Sequence, residues 1–227
     1  NQIITVNKHL KDSICSIFPQ YKSKINVIPN GIDSNFLEIP ITKEHKGINL
    51  ITVSNLTKNK SIDQLILALS KLNLPDVHLT ILGKGPEEEA LIDLTKSLNL
   101  SDRISFKGKI PHNNIKLYYA DSDIYIIPSQ FEGRSNAMVE AMASGLAIIA
   151  SDITGNRELI QDNKNGILYE YGNISKLSNA IKKLVSDNNL RLELGISARH
   201  TINNNIMTWG KTSIAYMDLF KHTLDNY

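Results

Sequence analysis

Ser129-Gln-Phe-Glu-Gly-Arg-Ser-Asn-Ala-Met-Val-Glu-Ala-Met-Ala-Ser-Gly145 lies between two short apolar runs, Asp123-Ile-Tyr-Ile-Ile-Pro128 and Leu146-Ala-Ile-Ile-Ala-Ser151. Each run has strand length and β-branched residues, and Pro128 stops the first. Between them Asn136 reads as an N-cap, and Ala137, Met138, Ala141, Met142 and Ala143 favour a helix. Gly145 is placed to end it. A strand, a loop, a helix and a second strand in this order make one unit of a parallel sheet.

The same alternation runs outward in both directions. Upstream come strands at 50–53, 77–82 and 104–106, with helical patterns between them. Ser61 and Gln64 read as a capping box, and Pro86 as a first helical residue followed by Glu87, Glu88 and Glu89. Downstream a strand at 167–169 precedes helical patterns at 174–186, 189–200 and 207–225. Six strands alternating with helices predict an α/β fold with a doubly wound, parallel, Rossmann-like sheet. Residues 1–36 carry only a β–α pair and one more strand, too little for a domain, and 37–47 read as a linker.

In such a sheet, ligands bind outside the carboxyl ends of the strands. That rule gathers residues 54–60, 83–86, 107–111, 129–138 and 152–156 around one crevice. The start of the helix at Ser135, Asn136, Ala137 and Met138 offers free N–H groups and a positive end to an anion such as a phosphate. Glu140 leans back toward that end and suits the hydroxyls of a sugar diol, with Glu132 further out. The bland alternative makes Glu132 a loop charge and Glu140 a solvated helix face. Lys60 is the natural point charge for a diphosphate, or a solvated lysine before a helix. Gly83 and Gly85 permit close backbone approach, or simply make a turn.

Composition narrows the field. The chain has 227 residues, 41% of them hydrophobic, enough for one sizeable core. With 25 basic and 23 acidic residues the net charge is +2, which gives no reason to invoke nucleic acid. Cys15 is the one cysteine, so no internal disulfide forms, in keeping with a reducing compartment. No apolar run reaches the roughly 20 residues of a membrane span. The six histidines show no ligand spacing, so no metal is expected. Asp121-Ser-Asp123 has the D-x-D form of a metal-binding triplet, but it precedes a strand at the amino end of the sheet and reads as a solvated turn. Trp209 reads as a packing anchor.

Glu132-x7-Glu140 followed by Ala141-Met-Ala-Ser-Gly145 resembles the E-x7-E signature of the retaining glycosyltransferases of family 4, which have the two-domain GT-B fold. Val27-Ile-Pro-Asn-Gly-Ile-Asp33, Leu82-Gly-Lys-Gly-Pro86, Pro128-Ser129, Gly155-Asn-Arg-Glu-Leu-Ile160 and Asn165-Gly-Ile-Leu168 resemble that family in the same order. The resemblance covers nearly the whole chain. It implies the C-terminal, donor-binding half of a GT-B enzyme. Residues 1–36 would be the end of the N-terminal domain and the start of the crossover, 48–206 the donor domain, and 207–227 a helix crossing back. Because the chain opens at Asn1 without a methionine, a fragment is expected.

The implied reaction is hexosyl-like transfer from a nucleotide-diphosphate sugar, UDP- or GDP-linked, with retention and without a further cofactor. The acceptor would be a glycan or lipid held by the N-terminal domain, as in surface polysaccharide synthesis. That implies a cytoplasmic protein, compatible with peripheral attachment to the inner face of a membrane. By the resemblance Lys60 and Glu132 serve catalysis and Glu140 takes the ribose. Asn55, Gly83, Gly85, Ile110, Arg134, Ser135, Asn136, Ala137 and Met138 bind the donor. Gly108-Lys-Ile110 would hold the base, and Gly155, Asn156 and Glu158 would face the donor. The family often carries an arginine where this chain has Asn55, and Arg134 is the expected substitute. Two other readings are a nucleotide-sugar 2-epimerase and a non-catalytic nucleotide-binding module.

Overall fold

A computed structural model of the chain describes residues 2–41, 46–205 and 208–225. Part of the expected linker, 42–45, and the expected boundary at 206–207 lie outside the described residues. Strand β1 (Ile3–Thr5), helix α1 (Lys8–Ile17) and strand β2 (Ile25–Val27) form a small parallel β–α–β piece. A 3-10 turn at Ser34–Glu38 follows. The main body then runs β3 (Ile48–Val53), α2 (Ile62–Ser70), β4 (Val77–Leu82), α3 (Glu88–Ser97), β5 (Ile104–Gly108), α4 (His112–Ala120) and β6 (Ile124–Ile127). It continues with α5 (Asn136–Ala143), β7 (Ala147–Ser151), α6 (Thr154–Arg157), β8 (Ile167–Tyr169), α7 (Ile174–Ser186), α8 (Asn188–Asn205) and α9 (Trp209–Asp225).

The six strands β3 to β8 pair in parallel in the order β5-β4-β3-β6-β7-β8. This is the expected doubly wound sheet, and its strand order reverses between β3 and β6. Neighbouring crossovers leave that point on opposite faces, so a crevice opens there at the carboxyl ends.

Strand alternation divides the core in two. On one face Leu50, Leu79, Ile81, Ile124, Ile126, Ala147 and Ile149 meet Leu65, Ile66 and Leu69 of α2 and Leu177, Ile181 and Leu184 of α7. On the other, Ile51, Leu82, Tyr125, Ile127, Ile148 and Ala150 meet Met138, Ala141 and Met142 of α5 and Ala198 and Ile202 of α8. Burial on both faces explains why β6 and β7 read as continuous apolar runs. Phe36 and Ile39 join the second cluster, so the expected linker, 37–47, starts packed against the main body.

Several local expectations need correction. The N-cap of α5 is Ser135, not Asn136, and the Ser135 hydroxyl accepts from the Met138 N–H at 3.2 Å. Ser61 makes no capping box: it sits in the left-handed region (φ 52°) and its hydroxyl meets the Tyr171 hydroxyl at 3.1 Å. Pro86 lies outside α3, whose N-cap is Glu87. Helix α8 starts one residue early and runs on to Asn205. Asp123 is more than a solvated turn, because its carboxylate accepts from the Asn49 N–H at 2.8 Å and ties the amino ends of β3 and β6 together. The Trp209 side chain is 53% exposed. What anchors there is its backbone: the Trp209 N–H donates to the Ile32 carbonyl, and Gly31 lies so close that a Cβ would meet the Trp209 backbone at 2.5 Å.

Candidate functional site

At the reversal point lies a crevice of about 290 Å³ lined by Val53, Ser54, Asn55, Lys60, Leu82, Gly83, Lys109, Ile110, Ile115, Glu132, Ser135 and Ala137. Of the residues singled out from the sequence, Asn55, Lys60, Gly83, Ile110, Glu132, Ser135 and Ala137 meet there. Gly85, Arg134, Asn136, Met138 and Glu140 do not line it.

The wall formed after β3 and β4 is made of backbone. Gly83 has φ +133° and faces the Ser54 carbonyl so closely that a Cβ would stand 1.7 Å from that oxygen. Gly85 is a packing glycine: its Cβ would meet the Leu56 carbonyl oxygen at 2.2 Å. Reciprocal bonds from the Leu56 N–H to the Lys84 carbonyl and from the Glu87 N–H to the Leu56 carbonyl, both 3.0 Å, lock the two loops together. The glycines of the Leu82-Gly-Lys-Gly-Pro86 stretch thus hold the crevice open by letting main chains touch.

The opposite wall, 129–136, is made of side-chain bonds. The Lys60 ammonium donates to Glu132 Oε1 at 2.6 Å, and the Ser129 hydroxyl donates to the same oxygen at 2.8 Å. Both charged side chains are largely shielded, Lys60 20% and Glu132 10% exposed. The Ser151 hydroxyl donates to the Ser129 carbonyl at 2.6 Å, and the Asn156 amide donates to the Ser151 carbonyl at 2.9 Å. Gly155 lies against the Glu132 carbonyl, where a Cβ would stand at 2.1 Å. Gly155 and Asn156 therefore buttress the Glu132 loop from behind.

The N-terminal piece clasps this loop from outside. Asn7, the N-cap of α1, donates its amide to the Gly133 carbonyl. Arg134 is drawn to the same side: its Nη1 donates to the Asn30 carbonyl at 3.1 Å. The expected substitute for the family arginine thus bonds to the segment after β2, while Lys109 is the second cation lining the crevice. Glu158 accepts from the His9 N–H at 2.9 Å, so it is a helix-start acid for α1.

Glu140 sits behind the start of α5, buried, with His112 Nε2 at 2.9 Å from its Oε1. Burial pushes its carboxyl above the usual range, and the bonds from His112 and Tyr119 pull it partly back. Tyr119 and Tyr125 are pushed upward by burial and by carboxylate charge, so both stay neutral. Glu140 is therefore not the solvated helix face that spacing also allowed. His112 escaped the sequence reading because it belongs to no spaced pattern, while Lys109 entered it only as part of the Gly108-Lys-Ile110 stretch. Among the described residues no group of three or more His, Cys, Asp or Glu converges. No helix among them is long and apolar enough to cross a membrane.

The chain resembles known proteins in sequence and fold. The chain is 32% identical over 199 residues to an uncharacterized glycosyltransferase of Methanocaldococcus jannaschii, covering 82% of this chain and 51% of that protein. It is 34% identical over 143 residues to the N-acetylgalactosamine-N,N'-diacetylbacillosaminyl-diphospho-undecaprenol 4-alpha-N-acetylgalactosaminyltransferase of Campylobacter jejuni, covering 63% and 38%. Among solved structures, a glycosyltransferase from Rickettsia africae superimposes with a TM-score of 0.88 at 23% identity, covering all of this chain and 64% of that one. The pneumococcal O-GlcNAc transferase GtfA, solved in complex with UDP and GlcNAc, gives 0.83 at 25% identity, covering 97% and 45%. The chain spans about half the length of the curated relatives it matches. The family model for "Glycosyl transferases group 1" matches residues 35–201. From the β3–β6 crevice to the ordered motifs around it, the chain belongs to the glycosyl transferases group 1 family.

Proposed function

We propose that this chain is the donor-binding, C-terminal part of a retaining glycosyltransferase of family 4, taking a sugar from a nucleotide diphosphate. The observation that carries the reading is the crevice itself. It brings Lys60, Glu132, the Gly83 turn and the N-terminus of α5 together at the reversal point of the sheet. The diphosphate rests on the first N–H groups of α5, where the helix end is positive. Lys60 meets the negative charge that grows on the departing diphosphate. Glu132 lies on the sugar side, where positive charge grows at the anomeric carbon. Their 2.6 Å pairing ties the loop after β3 to the loop after β6 and holds the two charges together. Glu140 accepts from the ribose hydroxyls, and the Ile110 region holds the base.

Two relatives are named for transfer to a diphospho-undecaprenol-linked saccharide and to a peptide, which supports transfer to a separate acceptor. We assign it, as a glycan or lipid-linked saccharide, to the part of those longer relatives that this chain does not cover. Membership in a transferase family favours transfer over the 2-epimerase reading and over a non-catalytic module.

The test is thermal stabilisation by UDP-, GDP- and ADP-linked sugars, followed by a crystal soaked with the best binder. A ligand at a hundred times its dissociation constant adds about 2.7 kcal/mol to the native state. The expected outcome is one base class that raises the melting temperature, with its diphosphate at residues 135–138. Binding elsewhere, or no stabilisation by any of them, sinks the proposal. The 227-residue chain is also expected to bind donor without transferring sugar, because no acceptor is held.

A further inference from the structure

Resting on the ribose role proposed for Glu140, we infer that His112 is a positioning residue that keeps this buried carboxylate an acceptor for the donor's hydroxyls. Glu140 is 9% exposed and His112 60% exposed, with Nε2 at 2.9 Å from Oε1. A carboxylate this enclosed is driven toward its protonated form by burial. Once protonated, one oxygen becomes a donor, and the group loses acceptor capacity for a diol. An N–H aimed at Oε1 opposes that, because hydrogen bonds to the ionised form favour it.

The ring is placed by elements other than α5. His112 is the first residue of α4, behind Pro111, and so follows directly on the crevice-lining Lys109 and Ile110. Phe36 packs edge-on against the His112 ring at 5.9 Å and against Tyr119 at 5.7 Å. Phe36 belongs to the turn just after Pro29-Asn-Gly-Ile-Asp33, so the crossover segment and α4 together aim the imidazole. The titratable groups acting on Glu140 are His112 and Tyr119 from α4, and Glu140 in turn acts on Tyr125 of β6. The two tyrosines stay neutral by burial. His112 is thus the group through which solvent conditions reach Glu140. No step of sugar transfer passes through it.

The experiment uses the 227-residue chain and calorimetric titration with UDP, GDP and ADP, each beside its 2′,3′-dideoxy analogue, from pH 5 to 8.5. Wild type is expected to prefer the ribo form of its best nucleotide, and to lose that preference as acid protonates Glu140. In H112A the loss should begin at higher pH, and the ribo preference at neutral pH should fall roughly tenfold, the scale of one charge-assisted hydrogen bond. H112Q keeps a donor and should recover much of the preference. Dideoxy affinity should not change in either variant, a separation that a general structural defect would not produce, and melting curves check that both fold. If wild type discriminates and H112A follows the same curve, the role of His112 is overturned while that of Glu140 stands. If wild type fails to discriminate, or binds none of the three, both fall.

Discussion

The two walls of the crevice are built on different principles. After β3 and β4 the wall is main chain against main chain, locked by Gly83 and Gly85 lying against carbonyl oxygens. Across from it, residues 129–136 are held by side chains: Lys60 and Ser129 on Glu132, Ser151 on Ser129, Arg134 on Asn30. The first wall gets its shape from main chain, and its Lys60 reaches across to Glu132. The second carries Glu132 and is held by bonds that can be retuned one side chain at a time. Backbone walls should therefore fail by unfolding, and side-chain walls by losing ligand.

The largest expected effect falls on the backbone wall. Gly83→Ala places a methyl group 1.7 Å from the Ser54 carbonyl at a backbone angle that L side chains rarely adopt. A stability loss of about 3 kcal/mol or more is expected in denaturant titration, within the range for backbone strain and overpacking combined. A Gly83→Ala protein as stable as wild type would break the distinction.

Next comes the ion pair. Glu132→Gln keeps the shape of the wall and removes the partner of Lys60. Transfer in a full-length enzyme should drop by roughly a hundredfold, as for loss of a preorganised charge, with donor affinity changed far less. Lys60→Ala should instead weaken nucleotide-diphosphate binding more than nucleoside-monophosphate binding, read by calorimetry. Equal losses for both would remove Lys60 from the diphosphate.

Glu140→Gln tests whether a functional carboxylate costs stability. Burial raises its pKa, so the folded state binds a proton more readily than the unfolded chain. Wild-type stability from this group is thus present below the ordinary carboxylate range and is lost as pH rises through the raised value. The amide escapes that loss. Glu140→Gln should melt higher than wild type near neutral pH, with the gap closing as the solution is acidified. Donor affinity should move the opposite way.

The smallest effect belongs to Gly133. Nothing lies within 4 Å of a Cβ built there, and its φ is not in the positive range. Gly133→Ala should change stability by about 0.5 kcal/mol or less in the same titration. A large loss would show that the Glu132 loop is as constrained as the Gly83 turn.

Much of this was legible in one dimension. Strand and helix periods carried the six-stranded parallel sheet, and the carboxyl-end rule carried most of the crevice lining. Local helix chemistry was read less well. Ser61 was expected to cap α2, but its hydroxyl is taken by Tyr171, 110 residues away. Arg134 was read only against its local helix start, and the structure adds a bond from its Nη1 to the carbonyl of Asn30, 104 residues earlier. In both, a partner about a hundred residues away in the chain takes part, and no sequence window contains it.

The amino-acid order alone determined the alternation, the two-sided burial of β6 and β7, and the glycines at the loop tips, because side-chain period and backbone sterics act between near neighbours. Only the tertiary structure decided that Lys60 meets Glu132, that Lys109 rather than Arg134 faces the crevice, and that His112 stands over Glu140. Those pairings depend on which crossovers leave opposite faces at the β3–β6 reversal, and on groups that become neighbours only once the sheet has formed.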